Sequence, residues 1–213
     1  VTGEDASPSE VAPPVAEEPK PADPVVAAIQ SKLKDSSVRS RAHSDDLAAL
    51  EDFYAKPDGS PIWMTDTGFS AKAKAVIGEI EKAADWGLPQ DAFDLPSASE
   101  VPPTADAKAI DEVQLDLAIL KYARFARGGR VSPGRISAIL DQKPHLRDPK
   151  LVLAEIQASA EPDAYLRSLQ PKQEQFEKLR QALIKTRDAS KAKGKKPESD
   201  PIVQRLVVNM ERW

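Results

Sequence analysis

DEVQLDLAILKYARFARGGRVSP, residues Asp111 to Pro133, is the stretch on which the fold turns. Plotted at 100° per residue it places Leu115, Ala118, Ile119, Tyr122, Phe125 and Ala126 in one sector, with Leu117 and Leu120 adding apolar surface outside it. That apolar surface is too wide for a solvent-bridging helix. The helix is therefore a core element, running from about Thr104 to Arg127. Glu112, Asp116, Arg124 and Arg127 fall outside that sector and are read as its solvated face. Arg127 in the last turn complements the helix dipole, and Gly128 suits a left-handed C-terminal cap. Capping does not account for Arg130, nor for arginine rather than lysine at three positions. Guanidinium forks suit carboxylates, so Arg124, Arg127 and Arg130 form the candidate docking surface, set against a purely structural reading of the same residues.

On both sides of this helix the apolar residues recur at spacings of three and four, and strand-type alternation is nearly absent. Val25, Val26, Ile29 and Leu33 mark a first helix; Leu47, Leu50 and Tyr54 mark a second, with Ser44 as its expected N-cap and Pro57-Asp58-Gly59 as its stop. SPIWMTDTG is short and extended, and Pro61 bars it from a central strand. Ser70 caps a third helix bearing Ala73, Val76, Ile77, Ile80 and Ala84, which stops at Gly87. A helix opened by Pro133 carries Ile136, Ile139 and Leu140, and another from Pro149 carries Leu151, Val152 and Ile156. Phe176, Leu179, Leu183 and Ile184 lie on a long helix from about Lys172 to Ala192, and Val203, Leu206, Val207, Met210 and Trp213 on a closing one. The expectation is an all-α, irregular bundle of seven to nine helices.

Residues 1–23 hold six acids against one lysine and little apolar bulk, the composition of a disordered tether. They carry a charge of −5 out of a total of −4, so the remaining body is close to neutral and gives no reason to expect nucleic acid. The domain organisation expected is a tail over 1–23, a helical domain over 24–190, a charged linker over 191–200, and a closing helix over 201–213. No run reaches the eighteen or so apolar residues of a membrane span. The chain has no cysteine and two histidines, His43 and His145, which argues against thiolate chemistry and a histidine-held metal; no cofactor is expected. The start within a Pro/Ala/Glu tract suits an exported chain whose signal sequence has been removed.

Isolated matches to catalytic patterns have simpler explanations. Ser31 with Lys34 and Ser190 with Lys193 fit Ser-x-x-Lys but lack companion motifs. Glu174 and Glu177 sit on the polar face of a charged helix, and a solvated face accounts for them better than a glycosidase pair does. Trp63 and Tyr54 suit the core better than a sugar-stacking platform.

The order of segments carries a resemblance. FYAKPDGSPIWMTDTGFSAKAKAVIGEIEKAADWGLPQDAFDLP (residues 53–96), the long-helix stretch above, YLRSLQPKQEQFEKLRQAL (165–183) and VVNMERW (207–213) together resemble the N-terminal helical scaffold of the large L,D-transpeptidases of Gram-negative bacteria. The resemblance implies a periplasmic setting and peptidoglycan cross-linking by a cysteine domain downstream. Met210, Arg212 and Trp213 would then form the interdomain joint, and that domain would be the chief partner. The family's Ser-His-Gly-Cys motif is absent, so no catalytic residue carries over and the chain as it stands is not expected to be an enzyme. The alternative is a stand-alone periplasmic adaptor that binds cell-wall proteins or peptidoglycan itself.

Overall fold

The computed structural model describes residues 23–56, 59–130 and 144–213. The tail over residues 1–22, the Pro57-Asp58 stop and the helix expected from Pro133 lie outside them. Among the described residues there are nine α-helices, and the one sheet is a two-stranded hairpin, so the fold is all-α. The helices are α1 (Pro24–Lys34), α2 (Ser36–Arg39), α3 (Ser44–Tyr54), α4 (Ala71–Ile80), α5 (Ala105–Ala126), α6 (Pro149–Ala158), α7 (Pro162–Ser168), α8 (Glu174–Ala192) and α9 (Pro201–Met210). The hairpin pairs β1 (Met64–Thr65) with β2 (Gly68–Phe69), Met64 opposite Phe69. No described helix is long and apolar enough to cross a membrane.

Local signals set most helix ends. Ser70 Oγ accepts from Ala73 N, and Thr104 Oγ1 from Ala107 N, each satisfying a first-turn N–H. Asp23, Asp148 and Asp200 cap helices that each begin with proline. At α3 the expectation needs correction. Ser44 is already helical, and the cap is His43, whose Nδ1 accepts from Asp45 N. The helix starts one position earlier than expected, and the Ser44 hydroxyl donates to Asp45 Oδ1 instead. Gly87 and Gly128 end their segments at φ values of 74° and 80°, where a Cβ is strained.

Helix α5 is the axis of the bundle, packed by α1 most extensively and also by α3, α4 and α6. Leu115, Ile119, Leu120 and Tyr122 are buried on it, as are Ala109, Val113 and Ala123 well outside the expected sector. The buried surface therefore extends well beyond one sector, which overturns the solvated reading of its acids. Glu112 and Asp116 are both fully buried. Glu112 accepts from the backbone N–H groups of Ile62, Trp63 (3.0 Å) and Met64 (2.8 Å). Asp116 Oδ1 accepts from Trp63 Nε1 at 2.7 Å. The Tyr54 hydroxyl lies 3.0 Å from Glu112 Oε1 and 2.8 Å from Asp116 Oδ2.

A hydroxyl has one proton to donate, so these two contacts cannot both be donations from Tyr54. We assign the second proton to Asp116, whose carboxyl is held well above its ordinary range by burial and then by the charge of Glu112. Glu112 is also pushed upward by burial, but three backbone donors favour its ionised form. The chain of donation thus runs from Asp116 to Tyr54 to Glu112, ending on an anion cradled by residues 62–64. Trp63 and Tyr54 are core residues, as expected.

A smaller cluster joins the last two helices to the rest. Phe176 and Leu183 of α8 pack on Val203 and Met210 of α9, with Trp86 against them. The Arg180 guanidinium lies 4.4 Å from the Trp86 ring centroid, and Trp86 Nε1 donates to the buried Glu79, which also takes Arg167 at 2.9 Å. Between α8 and α9 the lysine-rich stretch makes a closed turn: Gly194 takes φ 67°, Lys195 N donates to Ser190 O, and Arg187 meets Glu198 at 3.1 Å.

The proton assignment makes an asymmetric prediction. Glu112→Gln faces backbone donors with an amide N–H and should lose roughly 3 kcal/mol. Asp116→Asn reproduces the donor and acceptor pattern of the protonated acid and should stay within about 1 kcal/mol of the parent near pH 4. Because the folded value of Asp116 is raised, its contribution is fully present below the unfolded value of about 3.9 and is lost as pH rises through the folded one. The parent should therefore fall progressively behind Asp116→Asn as pH increases. Urea unfolding of the three proteins at several pH values measures this.

Candidate functional site

The arginines singled out in the sequence have three different fates. Arg124 turns back onto α3 and pairs with Asp46, a carboxylate that is itself buried. Its own side chain is only 16% exposed, so it is a core ion pair rather than part of a docking face. An α5 wheel shows solvent where the folded chain supplies α3, because Asp46 is 78 residues away in sequence. Arg127 caps the C-terminus of α5 and is exposed. Arg130, beyond the two glycines, forms an ion pair with Glu211 just past α9.

The two glycines hold this geometry by different means. Gly128 supplies the positive φ. Gly129 lies so close to the preceding turn that a methyl group there would sit 2.9 Å from Arg124 O and 2.7 Å from Leu146 Cδ2. Its N–H donates to Arg124 O at 2.9 Å. The turn thereby aims Arg130 at Glu211, so the end of α5 is tied to the end of α9.

This tie brings part of the expected docking surface to the expected joint. An open cleft of about 880 Å³ is lined by Arg127 and Gly128, by Glu211, Arg212 and Trp213, and by residues from three segments in between: 144–147, 155–168 and 169–173. Arg212 and Trp213 are exposed at its rim, Trp213 by 48%. Met210 points the other way. It is buried and packs toward Gly87, where a methyl group would come within 3.4 Å of its Sδ.

Cleft residues outside the sequence candidates include His145, Arg147, Tyr165 and Lys172. Arg147 Nε donates to Glu155 Oε2 at 2.9 Å, and the Tyr165 hydroxyl reaches the same oxygen at 2.8 Å. These bonds, Arg147's first, hold the Glu155 carboxyl below its usual range. No local pattern marks these residues, since each is an ordinary surface side chain until three segments meet.

The Ser-x-x-Lys matches do not form sites. Ser31 lies on α1, and the Ser190 hydroxyl donates to Asp200 Oδ2 at 2.6 Å, joining α8 to the cap of α9. Glu174 and Glu177 pair along their own helix with Lys178 and Arg180, as a solvated face does. Among the described residues no group of three or more His, Asp or Glu side chains is placed to hold a metal ion.

The separation of roles among the arginines is testable by stability alone. Arg124→Ala leaves Asp46 buried without its partner and should lose about 3 kcal/mol or more. Arg127→Ala should stay within about 0.5 kcal/mol of the parent. Denaturant melts of the two variants give the comparison directly.

No curated protein and no solved structure gives a significant match to the chain. A family model described as "Scaffold domain" matches residues 48–183, which runs from within α3 to the middle of α8. That span takes in Tyr54, Trp63, the whole of α5 with its buried acids, and the glycine turn, and on it the chain belongs to the scaffold-domain family.

Proposed function

We propose that this chain is the non-catalytic scaffold portion of a periplasmic L,D-transpeptidase, which makes peptidoglycan cross-links through a cysteine domain downstream. The observation that carries the reading is the placement of the four resembling stretches. The first two supply the buried network and the glycine turn, the third runs from within α7 through the first half of α8, and the fourth is the end of α9 with the residues after it, beyond the matched family span. Helix α9 keeps Val203 and Met210 inside and leaves Ile202 and Val208 more than half exposed. An apolar outer face on a terminal helix suits a seat for a further domain.

In this reading the scaffold positions chemistry that it does not perform. With no cysteine in the chain, acyl transfer through a thiolate belongs to the downstream domain. Met210 anchors the joint from within, while Arg212 and Trp213 stand at its outer edge beside the cleft. Arg130 contributes by fixing Glu211 and so the exit of α9.

The test is transpeptidation by the complete gene product on tetrapeptide-bearing murein. Cross-linking should vanish when the downstream cysteine is replaced. Ile202→Glu with Val208→Glu should lower it about tenfold by loosening the seat, without unfolding the bundle. The 213-residue chain alone should be inert. A reading frame that ends without a cysteine domain, or cross-linking by the isolated chain, would refute the proposal.

A further inference from the structure

The cleft has a charge pattern that identifies a ligand class, independently of any downstream domain. Its lining includes four cations, Arg127, Arg147, Lys172 and Arg212, and two acids, Glu155 and Glu211. Both acids are already engaged, Glu155 by Arg147 and Tyr165, and Glu211 by Arg130. Arg127, Lys172 and Arg212 have no carboxylate partner among the described residues. Three cations without an acidic partner among the described residues thus line one cavity, together with Tyr165 and Trp213.

We propose that this cleft binds an acidic peptide chain, with Arg127, Lys172 and Arg212 meeting its carboxylates and Trp213 packing on the backbone between them. Arginine forks donate to carboxylates in bidentate geometry, and a lysine adds a point charge. The lining carries an excess of two positive charges, which matches a ligand with a few separated carboxylates. A phosphodiester backbone brings a charge every few ångströms and would meet Glu155 and Glu211 as well. The volume of about 880 Å³ takes several residues of an extended chain.

The experiment uses the 213-residue chain and a short peptide in which alternate residues are glutamate, followed by calorimetry and by tryptophan fluorescence. The glutamate peptide should bind saturably, and its glutamine counterpart should bind at least about tenfold more weakly. Arg127→Glu with Lys172→Glu should weaken binding about tenfold or more, with a melting temperature within about 2 °C of the parent. Arg205→Glu, which reverses an exposed charge on α9 outside the cleft, should change affinity less than twofold. Trp213→Phe should retain binding and lose most of the fluorescence response. Absence of saturable binding, equal binding of the glutamine peptide, or equal weakening by Arg205→Glu would overturn the proposal. Tighter binding of a thymidine oligonucleotide would overturn it in favour of a polyphosphate ligand.

Discussion

One tyrosine hydroxyl sits between two fully buried carboxylates, and the rest of the bundle is organised around that arrangement. Tyr54 comes from α3, Glu112 and Asp116 come from α5 one turn apart, and Trp63 comes from the loop before the hairpin. Two isolated anions in such a place would be prohibitively unfavourable. The arrangement is stable because one acid stays neutral and the other is met by three backbone N–H groups that would themselves be buried without partners. Removing any member exposes the others to an unsatisfied environment, so the register of α3, α5 and the 62–64 loop is set jointly. Apolar packing around Ile119, Leu120 and Leu115 supplies the bulk of the driving force but would tolerate sliding. The polar network does not.

Once α5 is held, its C-terminal end becomes a fixed reference. Gly128 and Gly129 turn the chain within two residues, and Arg130 reaches Glu211 at the far end of α9. Two apolar clusters with no residue in common are thereby joined by an ion pair and by Trp86, whose Nε1 donates to Glu79. The cleft lies at this joint. Its cations stay available because the neighbouring acids are already engaged within the fold.

Much of the fold is legible in the sequence because it depends on neighbours three or four residues away. Caps at Ser70 and Thr104, the proline starts at Pro149 and Pro201, and stops at Gly87 and Gly128 are such local effects. Glu112 and Asp116 are not. A wheel divides a helix into apolar and polar sides and assigns acids to water, whereas α1, α3, α4 and α6 cover α5 well beyond its apolar sector, including the side that bears Glu112 and Asp116. The nearby Tyr and Trp, both rare in this chain, were the available hint that a polar pair had buried partners. Arg124 misled for the same reason, since Asp46 is brought to it only by tertiary packing. The cleft is half legible: Arg127, Arg212 and Trp213 stand out separately in the sequence, but nothing in it places them together or adds Lys172 and Arg147.

The central claim is the protonation pattern of the buried pair, and carboxyl carbon-13 NMR of protein labelled at Asp and Glu reads it directly. One aspartate resonance should remain at the protonated position near pH 7 while one buried glutamate resonance is already ionised, and the aspartate signal should be absent from Asp116→Asn. Every carboxyl titrating near its ordinary value of about 4 would contradict the account.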